Sequence, residues 1–544
     1  MTDRQLPRRD FLKALASAYP VMALDWGALP RGTSQPARDG AFDCIVIGSG
    51  LAGLACGAAF ARQGFKALIV EQHDKVGGFA TAFPRPGGFV FDVSLHSTTV
   101  GERGGVRNLI DGFPEISEVE FLPHPNLFRV IFPEHDIRAP QRNPDGFAGM
   151  LAGLFPAERE GIAGLFDDMR GLSRDIQRFS EARGQANMSR FPLDFPHLYR
   201  FNNKTWGEMV DTRIKDARLK AIVSAQWGYY GLPPSKLSCF YYALPFMGYL
   251  SGGGFYTKGR SQDISNAFAA FIRGHGGTIL LGTKVERIVV AGGRAAGVVT
   301  TGGREYRSRV VVSNADPFET FERMVGAQAA LGEYKAKWPQ YSVSLSSFQV
   351  FLGLKQDLVG KLGLTDSEVF FEPSYDPEAG YAAAQRADVE SGGFAAMLYD
   401  NIYRRYSPAG KNTINLMVLQ GYGPWEKFEQ DYRAGRKAAY RREKERMADV
   451  LIGKAEKALL PGLTKAIEVR EVGTPLTNVR YTGHHRGAIY GWDQTVNNSG
   501  STRVGHATPV KDLYLAGAWS RPGHGYGAVI PSGLECFAEI VRSW

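Results

Sequence analysis

The 544-residue chain predicts an α/β protein whose first domain is a doubly wound, largely parallel sheet, on three observations. Asp43-Cys-Ile-Val-Ile47 is a short apolar run with the composition of a buried strand. Gly48-Ser-Gly-Leu-Ala-Gly53 follows at once with glycines at G-x-G-x-x-G spacing and opens a helical stretch of small residues over 51–63. After Gly64, residues 66–70 form a second apolar run ending at Glu71, about 20 residues beyond Gly50. The unit has the order and length of a dinucleotide-binding β-α-β motif. Gly48 permits the tight turn, Gly50 lets backbone approach a pyrophosphate, and Gly53 lets helix and strand pack closely. The phosphates then lie at a helix N-terminus, where free N–H groups and the dipole favour anions. Gly48, Ser49, Gly50, Leu51, Ala52 and Gly53 are the candidate contacts there. Glu71 and Gln72 are the candidates for the ribose, and an acidic residue favours one without a 2′-phosphate.

Composition sets the frame. At roughly 150 residues per domain the length allows three or four domains, or two large ones. A hydrophobic share of 44% and a charged share of 22% exclude disorder, collagen-like repeats and a multi-span membrane protein. Glycine is in excess, 65 residues against a usual ~7%, and recurs at no fixed period, so it marks turns and close backbone approaches. The net charge of +9 is spread among acidic residues; even the dense run at 433–457 has the spacing of a solvated helix face, which argues against a nucleic-acid partner. Weak contact with an anionic membrane surface stays open. The four cysteines, Cys44, Cys56, Cys239 and Cys536, have no metal-ligand spacing and imply no disulfide framework. Arg8-Arg9-Asp10-Phe11-Leu12-Lys13 resembles a twin-arginine signal, followed by an apolar stretch over 11–24 that is too short to span a bilayer. With the Pro/Gly/Ser-rich segment 29–40 it predicts export by the twin-arginine machinery to the periplasm or a similar compartment, so residues 1–40 are read as signal and linker.

Gly77-Gly78, six and seven residues after Glu71, lead into Phe79-Ala-Thr81 and the apolar Phe89-Val-Phe-Asp92. This continuation resembles two-dinucleotide-binding-domain flavoproteins and implies FAD, with Gly77, Gly78, Phe79 and Thr81 among its contacts. Gly282-Thr-Lys-Val285 and the following apolar run, then Val310-Val-Val-Ser-Asn-Ala315-Asp-Pro, resemble the strands that return to the nucleotide domain, placing Val285 near the adenosine. Leu513-Tyr-Leu-Ala516-Gly517-Ala518 and Pro522-Gly-His-Gly-Tyr-Gly-Ala-Val-Ile-Pro-Ser-Gly533 resemble the terminal strand, Gly-rich loop and helix that close over the flavin, adding Gly517, Ala518, Gly525 and Gly527. Together with Gly252-Gly-Gly-Phe-Tyr-Thr-Lys-Gly259, Thr474-Pro-Leu-Thr-Asn478 and Gly487-Ala-Ile-Tyr490-Gly491, the chain resembles the phytoene desaturase, carotenoid isomerase and retinol saturase branch of FAD-dependent oxidoreductases. The resemblance implies an α/β, Rossmann-like FAD domain from 41–100, 255–330 and 500–544, and a discontinuous mixed-sheet, helix-covered substrate domain from 101–254 and 331–499. Where amine oxidases carry Arg after the double glycine this chain has Phe79, so backbone N–H groups must meet the pyrophosphate charge.

For such a family the cofactor performs hydride transfer and the protein supplies orientation, dryness and electrostatics. A helix starting near Pro531 would aim its N-terminus at the flavin. His524, Tyr526, Tyr490 and Trp492 are the candidates beside the ring, and the pair Tyr490 and Tyr526 resembles the aromatics that sandwich substrate in flavin amine oxidases. His96, His484 and His485 match no metal spacing and read as hydrogen-bonded structural residues. The uncharged run 239–250 reads as core or as the wall of an apolar substrate tunnel. No second nucleotide fingerprint appears, so oxygen or a quinone is the expected electron acceptor. Three functions stay open: an exported FAD oxidoreductase, desaturase or isomerase in type, acting on an apolar polyene- or isoprenoid-like molecule; a secreted flavin amine oxidase; and a prenyl carrier like the GDP-dissociation inhibitors.

Overall fold

The computed structural model describes residues 24, 26–32, 41–94, 97–99, 105–182, 186–328 and 331–544. The twin-arginine segment and His96 lie outside the described residues. β1 (Phe42–Ile47), α1 (Leu51–Arg62) and β2 (Ala67–Val70) form the opening unit. The chain then contributes β3 (Phe128–Ile131) and β4 (Asp136–Ala139) to a second sheet, followed by the long α2 (Arg159–Glu181) and the apolar α3 (Cys239–Gly252). It returns through α4 (Ser261–Gly274), β5 (Thr278–Leu280), β6 (Val285–Ala291), β7 (Arg294–Thr300) and β8 (Glu305–Ser313). A second excursion makes β9 (Ser346–Leu354), β10 (Glu368–Phe371), β11 (Phe394–Met397), β12 (Asn412–Gln420), α5 (Ala438–Ala458) and β13 (Ile467–Gly473). β14 (Leu513–Leu515) and α6 (Tyr526–Arg542) complete the first domain.

The first sheet runs β6-β7-β8-β1-β2-β5, with β14 also paired to β8. β8 serves two patterns: its start pairs antiparallel with β7, and from Ser308 it runs parallel to β1. The second sheet runs β13-β9-β12-β11-β10-β3-β4 and is antiparallel except for the β10–β3 pair. α5 buries Met447, Leu451 and Ile452 against its strands, while α2 and α3 pack with Phe128 and Phe370 at the other end.

α1 is buried from Leu51 to Ala61, which only small side chains allow. A Cβ at Gly53 would lie 2.3 Å from the Gly48 carbonyl oxygen, and one at Gly533 of α6 would lie 2.1 Å from that of Ala52. α6 starts at Tyr526, five residues before the Pro531 start expected from the sequence. Gly525, at φ +84°, makes the turn into the helix. Pro531 lies inside α6 and leaves the Gly527 carbonyl without its helical N–H partner.

Candidate active site

A single cavity of about 1570 Å³ runs from the nucleotide motif to α6. Gly48, Gly50, Leu51, Ala52, Glu71, Gln72, Gly77, Gly78, Phe79, Val285, Gly517, Ala518, Gly525 and Gly527 all line it. Three sequence candidates do not. Ser49 is fully buried and spends its N–H and hydroxyl on Glu71 Oε2, at 2.8 and 2.7 Å. Gly53 is consumed by the packing against Gly48, and the Thr81 hydroxyl donates to the Gly78 carbonyl at 2.9 Å. Glu71 Oε1 accepts the His73 N–H at 2.8 Å, so three protein donors hold this carboxylate rigid at the cavity wall.

The groove fits FAD on its own features. α1 begins at Gly50 with no side-chain cap, and its first residues face the cavity, which leaves orphan N–H donors for an anion. A Cβ at Gly525 or Gly527 would meet nothing within 4 Å, so the space beside the start of α6 is cavity and not protein. α6 also begins without a side-chain cap at the cavity wall, so a second positive helix end is available to an anionic group bound there. Phe79, in the Arg position of amine oxidases, packs edge-on against His484 at 5.7 Å and contributes no charge.

Two residues that sequence reasoning missed hold these segments together. Asn314 accepts the Gly53 N–H through Oδ1 at 3.2 Å and donates through Nδ2 to the Ala516 carbonyl at 2.8 Å. Arg503, 4% exposed, donates to the carbonyls of Trp492, Asp493 and Ala518 at 2.8, 3.0 and 2.5 Å. Burial pulls its guanidinium down to about 10. Asn314 lies in the quoted segment that returns to the nucleotide domain and Arg503 in no quoted motif; only the fold reveals the partners of either.

The cavity has two ends of different character. Its charged lining residues include three ion pairs, Lys284 with Glu319, Arg486 with Glu426, and Arg433 with Glu429. Arg433 and Lys437 thus line the cavity, while the charged face of α5, which follows them, is exposed to solvent as expected and its other face is buried. Asp316, buried there, accepts the N–H groups of Phe318 and His485, and burial lifts its carboxyl to about 7. The other end is an aromatic chamber walled by Tyr229, Tyr230, Phe240, Tyr241, Leu244, Tyr249, Met417, Tyr490, His524 and Tyr526, with no formal charge on the described lining residues. The apolar run at 239–250 therefore does both things considered for it: Phe240, Tyr241 and Leu244 of α3 face the chamber, while Tyr242, Phe246 and Leu250 fill the core.

The candidates near α6 are rearranged by the structure. His524, Tyr526 and Tyr490 reach the chamber, but Trp492 does not: it is 2% exposed and packs among Phe318, Trp338 and Trp519. The ring stacked on Tyr490 is His524, at 4.1 Å and 28°, and not Tyr526. Those two rings touch, so they leave no slot for a substrate between them. His524 Nε2 lies 3.1 Å from the Tyr229 carbonyl, an acceptor only, which assigns the proton to Nε2 and leaves Nδ1 as an unpartnered acceptor. Burial pulls this imidazole down to about 3, so it stays neutral. His484 bonds the Ala488 carbonyl through Nδ1 at 2.8 Å and His485 stacks on Phe318. Among the described residues no group of His, Cys, Asp and Glu is placed to hold a metal ion.

A cofactor groove of this form, closed by a C-terminal helix over a second, mixed-sheet domain, defines an FAD-dependent oxidoreductase. Residues 51–536 match the family model for flavin containing amine oxidoreductases, and the chain belongs to that family. It is 26% identical to an all-trans-retinol 13,14-reductase of Danio rerio over 538 residues, covering 92% of this chain and 86% of that protein. It is 25% identical to a prolycopene isomerase of an Oncidium hybrid cultivar, covering 92% and 84%. The crystal structure of an oxidoreductase from Methanosarcina mazei superposes with a TM-score of 0.58 at 16% identity, covering 90% of this chain and 99% of that one, a likeness of fold.

Proposed function

We propose that the protein exchanges hydride between bound FAD and an apolar, polyene- or isoprenoid-like molecule, as a desaturase, saturase or isomerase. The observation that carries this reading is the chamber: phenols, aliphatic side chains and a neutral histidine, with no carboxylate on its described wall to attract an ammonium group. The similarity to a retinol reductase and a prolycopene isomerase points the same way. The amine-oxidase alternative loses its main support where Tyr490 closes on His524. FAD, when bound, supplies hydride exchange; this chain's residues orient the substrate and exclude water. Export by the twin-arginine route, with oxygen or a quinone as acceptor, belongs to the same proposal.

Anaerobic mixing of the FAD-loaded enzyme with all-trans-retinol and with a C40 polyene tests it. Bleaching of the flavin absorbance by oxidation of the polyene, or polyene-dependent oxidation of pre-reduced flavin, is the expected result. Peroxide release with an amine panel and no response to either polyene would overturn it. Reoxidation by NADP⁺, with none by oxygen or quinone, would remove the proposed acceptor.

A further inference from the structure

Tyr229 stands in the wall between two cavities. It lines the chamber and also a smaller space of about 90 Å³ that shares Met417 and Tyr490 with it. Its hydroxyl donates to Glu368 Oε2 at 2.6 Å, and Glu368 Oε1 accepts the Tyr399 hydroxyl at 3.3 Å. Glu368 is 1% exposed, and the groups bonding it are these two phenols and the Ser97 backbone N–H. The other titratable groups near it are Tyr249, the Tyr256 ring stacked on Tyr399, and His124, which bonds Ser367 Oγ at 2.7 Å and faces the Tyr399 ring. Hydroxyl donors take the place a cation would fill beside a permanently ionised buried carboxylate. Burial accordingly lifts this carboxyl to about 7.

We propose that Tyr229 and Glu368 form a proton relay serving the chamber, in which Tyr229 exchanges the proton with substrate carbon and Glu368, acting through it, is the positioning residue and proton store. This rests on the polyene reading above. The direction of the Tyr229–Glu368 bond carries the mechanism. With Glu368 ionised, the phenol hydrogen points at the carboxylate. With Glu368 protonated, the carboxyl donates to the phenol oxygen and frees the phenol hydrogen for the chamber. In reduction of a C=C bond, one carbon would receive hydride with both electrons from the reduced flavin, which is thereby oxidised to FAD. The second carbon receives the Tyr229 hydrogen, the Glu368 proton moves to the phenol oxygen, and a carboxylate remains to be recharged from solvent. Desaturation runs these transfers in reverse. Addition and removal of the proton alone would move a double bond with no net electron change. His524 stands beside the same group but is neutral and bonded to the Tyr229 carbonyl, so it orients the wall and does not titrate near neutral pH.

Two measurements on the FAD-loaded enzyme test the relay, using Glu368→Gln and Tyr229→Phe. Infrared difference spectra, without substrate, should show a protonated-carboxyl band that fades as pH rises through neutrality and is missing from E368Q. Comparison of the two proteins isolates Glu368 from Asp316 and Asp493, which are lifted into the same range. In Y229F the midpoint should rise, because the carboxylate form loses a hydrogen bond. With all-trans-retinol and reduced enzyme in heavy water, wild type should place solvent deuterium on one carbon. Both variants should lose about 100-fold in kcat with little change in KM, and the fall of wild-type activity as pH rises through about 7 should vanish in E368Q. An infrared titration identical in wild type and E368Q overturns the relay, as does wild-type deuterium transfer by Y229F. Should retinol leave the wild-type flavin unchanged, the polyene reading fails, while the infrared titration still decides whether Glu368 exchanges a proton.

Discussion

Asn314 offers the sharpest test of how the cofactor groove is assembled. Its side-chain amide bonds α1 through the Gly53 N–H and the β14 loop through the Ala516 carbonyl. It also packs against glycines of both segments: a Cβ would sit 2.7 Å from Oδ1 at Gly50 and 2.4 Å from Nδ2 at Gly517. Asn314→Leu keeps the approximate size and removes both bonds. The Gly53 N–H is in the first turn of α1, where no helical carbonyl accepts it. An orphaned buried polar group costs about 1–3 kcal/mol, and both bonds are partly buried, so the apoprotein should lose ~2–4 kcal/mol. FAD needs both segments in register, and a loss of ~1.4 kcal/mol in its binding is a tenfold weaker Kd. Asn314→Asp keeps an acceptor for Gly53 but turns a carboxylate oxygen toward the Ala516 carbonyl and sets negative charge beside the phosphate cradle. For a given loss of apoprotein stability, it should therefore weaken FAD more than N314L does. Urea unfolding of the apoproteins and fluorescence titration with FAD measure both quantities. An N314L protein with a stability within ~0.5 kcal/mol of wild type and an unchanged FAD affinity would refute the reasoning, since that is the scatter of inert surface substitutions.

Two Gly→Ala changes in α6 should have opposite effects on stability. At Gly527 a methyl meets no protein atom, so better helix propensity should stabilise the apoprotein by up to ~1 kcal/mol, while FAD binds more weakly because the methyl enters its groove. At Gly533 a methyl would lie 2.1 Å from the Ala52 carbonyl oxygen, so G533A should force α6 off α1 and lower both the melting temperature and FAD retention. Equal melting shifts in G527A and G533A would contradict this. Asp493 is buried with one oxygen unpartnered, and burial lifts its carboxyl from 3.8 to about 7. The folded state therefore binds this proton more tightly than the unfolded chain, so its stabilising effect is complete below the unfolded value and is lost as pH rises through 7. Asp493→Asn should flatten that fall, seen as urea midpoints that separate from wild type toward alkaline pH; parallel curves would count against the burial argument. His524 should keep a single neutral, Nε2-protonated form through neutral pH in ¹⁵N-histidine NMR, and a titration there would contradict its carbonyl-bonded geometry.

The nucleotide half of the site is legible in the sequence because its physics is local. Strand periodicity, the glycine spacing and the acidic residue after β2 act within one β-α-β unit, and Gly48 takes the positive φ of +91° that its position requires. The chamber is legible only as an apolar, aromatic tendency. Which rings face it depends on contacts between distant segments: Tyr229 meets Glu368 across 139 positions and His524 across 295. Trp492 and Tyr490 are two residues apart and equally aromatic, yet one is core and the other wall, because Trp492 points into the cluster of Phe318 and Trp338. The start of α6 differs from the sequence expectation for a related reason, since a proline usually marks a first turn, and Gly525 makes the turn six residues earlier without that signal. The amino-acid sequence by itself therefore determined the cofactor class and the glycine-lined end of the cavity, where close backbone approach requires residues without a side chain. The tertiary structure decided the chemistry of the other end: a neutral histidine closed on Tyr490 and a carboxyl hidden behind Tyr229. Burial and partners set the charge of such groups, and both exist only once distant segments have packed.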